Sequence, residues 1–127
     1  MRILLDTHIF IWVVLDDPRL NRVARTLIED ASEVYVSAVS IWEIAIKSTI
    51  GKIEADAMAM SRAIQESGFF ELPVLTMHAA QVANLPLLNG HKDPFDRLLV
   101  AQSLTEPLVL LTADPKVVAY GGLIRAV

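Results

Sequence analysis

The stretch HKDPFDRLLVAQSL, residues 91 to 104, sets two acids three residues apart at the entrance of a strongly apolar run. Asp93 ahead of Pro94 reads as a helix opening, with Asp as N-cap and proline at the first helical position. Asp96 then falls in the first turn, where a carboxylate suits the helix dipole and can complete a capping box. Leu98, Leu99, Val100, Ala101 and Leu104 spread around the same helix, so it should be largely buried. An acid in the first turn of a buried helix is a candidate for chemistry beyond capping. Asp6 and Asp114 have comparable settings, because each closes a short apolar run, ILLDTH and VLLTAD. Glu43 lies at the border of the apolar stripe of SAVSIWEIAIKST, four residues before Lys47. That pair reads either as a surface ion pair of ~0.3–0.5 kcal/mol or as a carboxylate held partly out of water. In the second case Lys47 would orient the acid or meet a phosphate.

Four carboxylates facing one crevice repel one another, which raises their pKa values unless a cation is present. Oxygen-only ligands suit Mg²⁺ or Mn²⁺. Such an ion can activate water and stabilise the charge on a phosphodiester, and two could clamp both attacking and leaving oxygens. Asp6, Glu43, Asp96 and Asp114 are therefore the candidate catalytic and metal-holding residues, with Asp93 as a spare. Thr7, Ser37 and Thr112 are donors beside them, although each also reads as a turn or cap residue. Lys47, Lys92, Arg97 and Lys116 could guide a nucleic-acid backbone, with solvated charge the alternative for each. His78 reads as the start of a helix, and His8 and His91 could approach the crevice from two loops. No HxxxH pair exists and cysteine is absent, so no zinc site is expected. No glycine-rich phosphate loop and no GxSxG elbow is present.

These side chains need a scaffold, and 127 residues suit one domain, 1–127, with a single core. Residues 3–5 form a continuous apolar run, the mark of a strand buried on both faces. A helix is expected over 7–16, broken by Asp17-Pro18, and another over 21–31. A strand at 34–36 leads to a helix capped by Ser37 or Ser40 and stopped by Gly51. Asp56 opens a helix closed by Gly68, and a strand covers 69–72. Thr76 starts a helix that ends before Pro86, and a loop then reaches the opening motif. Its helix stops before Pro107, and strands at 108–111 and 123–125 flank a short helix after Pro115. Strands alternating with helices predict a parallel sheet covered on both faces, with sites beyond the carboxyl ends of the strands. Asp6 and Asp114 both fall at that edge.

Hydrophobic residues make up 54% of the chain, and the mean hydropathy of +0.46 points to elements buried on both faces or an apolar self-association surface. No apolar stretch reaches the ~20 residues of a bilayer span. Asp6 and His8 interrupt the apolar start, and no small-residue cleavage site follows, so a signal peptide is not expected. A cytoplasmic location fits. A net charge of −4 is unlike a general nucleic-acid glove, so a polyanion would need local cations or bound metal.

Three blocks carry a resemblance: LLDTHIFIW, VSAVSIWEIAIKSTIGKI, and HKDPFDRLLVAQSL followed by LVLLTADPKVVAY. Their order and spacing resemble the PIN-domain family, in particular its VapC-like toxin ribonucleases, over nearly the whole chain. Asp6, Glu43, Asp96 and Asp114 match the family's four acids, and Thr112 its small hydroxyl residue. Asp93 belongs to the DPFDR variant, and Ser103 stands where alanine is frequent. The resemblance implies a three-layer α/β/α fold with a central parallel sheet of four to five strands in the order 3-2-1-4-5. It implies Mg²⁺-dependent cleavage of single-stranded RNA, a toxin role beside an antitoxin that covers the acidic groove, and a homodimer. The alternatives are a PIN-like nuclease of RNA processing without a toxin role and a non-catalytic PIN-like binding module, whose signature would be loss of an acid. A haloacid-dehalogenase-type phosphatase needs a second Asp two positions after the first, where His8 stands.

Overall fold

Ile3, Leu4 and Leu5 are each wholly buried, as a strand enclosed on both faces requires. In the computed structural model, which describes all 127 residues, they form the centre of β1 (Arg2–Leu5). The other strands are β2 (Glu33–Ser37), β3 (Phe70–Leu72), β4 (Val109–Thr112) and β5 (Ile124–Ala126). All pair in parallel, in the order β3-β2-β1-β4-β5, the order that the resemblance implied. Leu5 of β1 registers with Val36 on one side and Leu111 on the other. Side chains alternate along a strand. Ile3 and Leu5 therefore enter one core, while Leu4 enters the other.

Helices α1 (Thr7–Val14), α2 (Arg22–Asp30) and α4 (Ala57–Glu66) cover the first face, with Ile9, Phe10, Ala24, Met60 and Ile64 in its core. The second face is covered by α5 (Thr76–Gln81), α6 (Pro94–Thr105) and α7 (Pro115–Val118). Leu99, Val100 and Val117 are buried there with Leu72, Leu108 and Leu110. Helix α3 (Ala38–Thr49) serves both cores, placing Val39 in the second and Ile44 in the first. It therefore lies across the carboxyl edge of the sheet, next to the ends of β1 and β4. The architecture is a three-layer α/β fold around one all-parallel sheet.

The boundaries differ from expectation in places. Helix α1 ends at Val14, and the turn beyond it is completed by Asp16 in a left-handed conformation (φ 50°). Helix α5 ends at Gln81, short of the expected end before Pro86, because the chain tightens into a 3₁₀ turn at Val82–Asn84; a second 3₁₀ turn, Leu88–Gly90, lies in the stretch expected to be a loop. No helix is long and apolar enough to cross a membrane.

Candidate functional site

Asp6 is where β1 stops and α1 begins. Its backbone N–H still donates to the Leu111 carbonyl at 3.0 Å, in ladder fashion, while its carboxylate caps the helix by accepting from Thr7 N at 2.7 Å. The second carboxylate oxygen accepts from the Thr112 hydroxyl at the end of the neighbouring strand β4. Thr112 Oγ1 in turn accepts from Asp114 N at 3.1 Å. Asp6 is only 6% exposed. Burial pushes its carboxyl up; the Thr112 and Thr7 hydrogen bonds oppose this, Glu43 adds to it, and the net shift is upward.

The adjacent Thr7 donates its hydroxyl to Ser40 Oγ at 2.9 Å, joining α1 to α3. The cap of α3 is Ser37, whose hydroxyl oxygen accepts from Val39 N. Ser40, the other cap considered, serves instead as the partner of Thr7. Glu43, one turn on, is 3% exposed, so its pairing with Lys47 is not a surface contact. Lys47 Nζ donates to Glu43 Oε2 at 2.5 Å, and Oε1 is buried without any partner. Burial disfavours the Lys47 charge, but the Glu43 hydrogen bond and the fields of Glu43, Asp93 and Asp96 outweigh it and raise its pKa.

Asp93 caps α6 through a hydrogen bond from Asp96 N at 3.0 Å, as the motif suggested. Asp96 stands in the first turn and is mostly buried. Its carboxyl is pushed up to about 8, by burial first and then by the fields of Asp93, Asp6, Glu43 and Asp114. Four elements thus bring the four candidate acids, with Asp93, within electrostatic reach of one another. Asp114, half-buried, caps α7 by accepting from Lys116 N at 2.9 Å.

The acids share a field without standing in a finished coordination shell: no three acidic or histidine side chains are placed to hold one ion. Each is turned to a partner of its own, Asp6 to Thr112, Glu43 to Lys47, Asp96 to His91. The donor set nevertheless fits a hard divalent cation. Its ligands are all oxygens, Glu43 offers an unpartnered buried acceptor, and the repulsion recorded at Asp96 is what positive charge relieves.

Arg97 departs from the expectation that it guides a nucleic-acid backbone. It is 8% exposed, and its guanidinium donates to the Pro86, Val82 and Leu85 carbonyls and to the Tyr120 hydroxyl. Three of these hydrogen bonds hold the 82–86 segment against α6, and the fourth reaches Tyr120. Lys92 and Lys116 are exposed. His8 points outward from α1 near Trp12, and His78 is buried against Glu106, Gln102 and the backbone of Leu75. Ser103 donates to the Leu108 carbonyl at 2.5 Å and closes the turn between α6 and β4. Sequence reasoning weighed Ser40 only as a cap and missed its bond to Thr7, and it missed Tyr120 altogether, because these roles depend on contacts with residues 33 and 23 positions away.

Comparison with known proteins bears on the family and the fold. The chain is 29% identical over 112 residues to Ribonuclease VapC22 of Mycobacterium tuberculosis (strain ATCC 25618 / H37Rv), covering 88% of this chain and 86% of that protein. Among solved structures, it superimposes on a toxin–antitoxin complex from Klebsiella pneumoniae with TM-score 0.70, at 19% identity over 98% of this chain and 96% of that one. VapBC2 from Rickettsia felis, bound to a DNA fragment from its promoter, gives TM-score 0.72 at 14% identity, covering 99% and 98%. These distant likenesses establish the fold. The family model of the PIN domain matches residues 3–123, and the chain belongs to that family.

Proposed function

We propose that this protein is an endoribonuclease dependent on Mg²⁺ or Mn²⁺ and the toxin of a VapBC-type toxin–antitoxin pair. The observation that carries the reading is the convergence of Asp6, Glu43, Asp96 and Asp114 at the carboxyl edge of the sheet, close enough for each of the other three to raise the pKa of Asp96. Asp6 and Asp96 would hold the cation, with Glu43 and Asp114 completing the shell or orienting what fills it. A divalent cation, when bound, supplies a Lewis acid for the phosphodiester and lowers the pKa of water into the neutral range.

The chain's own residues prepare that step. Thr112 and the Thr7 amide hold Asp6 in one rotamer. The Thr7–Ser40 bond fixes the α1–α3 spacing and with it the distance from Asp6 to Glu43. Lys47 masks Glu43 and lies 5.5 Å from the Phe95 ring centroid, so releasing it would free both the carboxylate and a cation for a phosphate. Ser37 is occupied as a cap, and Arg97 by the 82–86 carbonyls, which leaves Lys47, Lys92 and Lys116 as the cations for RNA. The ribonuclease name of the M. tuberculosis relative supports an RNA substrate, and the toxin–antitoxin neighbours support a protein antitoxin as partner. A homodimer fits the apolar composition, and a cytoplasmic location fits the RNA target.

Asp6→Asn keeps the shape of the side chain and removes its charge. Cleavage of a long transcript by the purified chain in Mg²⁺ should fall at least about 100-fold, and growth arrest on expression should disappear. Undiminished cleavage by Asp6→Asn, in a preparation freed of contaminating nucleases, would end the reading.

A further inference from the structure

Asp96 is held from two sides. Asp93 engages its backbone N–H, and His91 engages its carboxylate, with Nε2 3.1 Å from Oδ2. His91 reaches it because the chain reverses just before, through Asn89 (φ 51°) and Gly90 (φ 71°), both left-handed. The other ring nitrogen, Nδ1, lies 3.1 Å from the Tyr120 hydroxyl. That hydroxyl oxygen accepts from Arg97 at 2.9 Å. Arg97 can only donate. The tyrosine's single proton is then free to go to His91 Nδ1, which places the ring's own hydrogen on Nε2, aimed at Asp96. The direction of the chain is thus set by the guanidinium: Arg97 to Tyr120, Tyr120 to His91, His91 to Asp96. Arg97 is itself pinned by three backbone carbonyls, so the origin of the relay is rigid.

We propose that His91 is the positioning residue of Asp96, with Tyr120 and Arg97 selecting the tautomer that donates to it. The proposal rests on the reading of Asp96 as part of the active site. A carboxylate with two oxygens and free rotation can turn away from a cation; one oxygen fixed by an imidazole N–H holds the rotamer and leaves the other oxygen free for a cation. Partners of this kind orient ligands rather than react, and their loss typically lowers affinity or activity 10–100-fold.

The test uses the full chain with His91→Ala, His91→Gln, His91→Asn, Tyr120→Phe and Asp96→Asn. Glutamine places an amide N–H where Nε2 stands, whereas asparagine reaches only the Nδ1 position. Cleavage of a long transcript in Mg²⁺ should drop about 10–100-fold in kcat for His91→Ala, with KM little changed. His91→Gln should restore most of it and His91→Asn little. A second readout needs neither metal nor RNA: above pH 8, where Asp96 is ionised, the ring ¹⁵N spectrum of the wild type should show the Nε2–H tautomer for His91, and Tyr120→Phe should convert it to a mixture. Inactive Asp96→Asn beside fully active His91→Ala overturns the proposal and leaves the site reading intact. His91→Gln as poor as His91→Ala, with equal melting temperatures, also overturns it, since packing and not the donor would then matter. An active Asp96→Asn sinks the site reading instead, and the ring spectrum still decides whether the relay exists.

Discussion

Asp96 is the residue at which burial and charge conflict most. A carboxyl raised from 3.8 to about 8 binds its proton more tightly in the folded chain than in the unfolded one. Its contribution to stability is therefore greatest at low pH and is lost as pH climbs from about 4 through about 8. In chelator, melting temperature should decline across that window, and Asp96→Asn should flatten the decline and melt higher at pH 8. The expected gain there is on the order of a few kcal/mol, from removing a buried charge that the surrounding carboxylates repel. A profile identical in wild type and mutant would contradict the crowding of acids described above. Glu43 shows the limit of single-residue reading. Its place at the edge of the α3 stripe left surface and interior equally open, because helical periodicity does not reveal which neighbours cover the border. Its burial beside Lys47 comes from the approach of α1 and α6, which lie far away in sequence.

Helix termini carry most of the site, so element-level changes should be felt there first. Asp93→Ala removes the α6 cap and should lower unfolding free energy by about 1 kcal/mol in urea titrations. Arg97→Lys tests a different element, the 82–91 segment. A lysine has one nitrogen in place of a planar fork and cannot satisfy carbonyls of Val82, Leu85 and Pro86 together with Tyr120. A loss of about 2 kcal/mol and faster amide exchange over residues 82–91 are expected, and unchanged exchange would show that the segment holds without the fork. Much of this layer was legible in advance. Ile3–Leu5 announced a central strand by its unbroken apolar run, and Asp93-Pro94 announced a helix start by its N-cap chemistry. Arg97 was not legible as an anchor. An arginine at a helix start beside acids looks like a solvent or phosphate contact until the segment that curls over it is placed. His78 and Glu106 were equally invisible as a pair, being 28 residues apart.

At the scale of the molecule, the acids belong to the folded state alone, so a cation that binds them should stabilise the fold by mass action. Saturation with Mg²⁺ or Mn²⁺ at about 100 times Kd corresponds to about 2.7 kcal/mol. The melting temperature should rise accordingly in the wild type and hardly at all in Asp6→Asn or Asp96→Asn; an equal rise in all three would place the cation elsewhere. The order of the sheet adds a temporal constraint. Asp6 is made early, yet the hydroxyl that holds it belongs to Thr112, 106 residues later. Until β4 has been synthesised and has slid in beside β1, the first carboxylate has neither its clamp nor its fellow at Asp114. On the ribonuclease reading proposed above, a half-made chain emerging from the ribosome would lack an assembled site, and cleavage would begin only once the chain is complete.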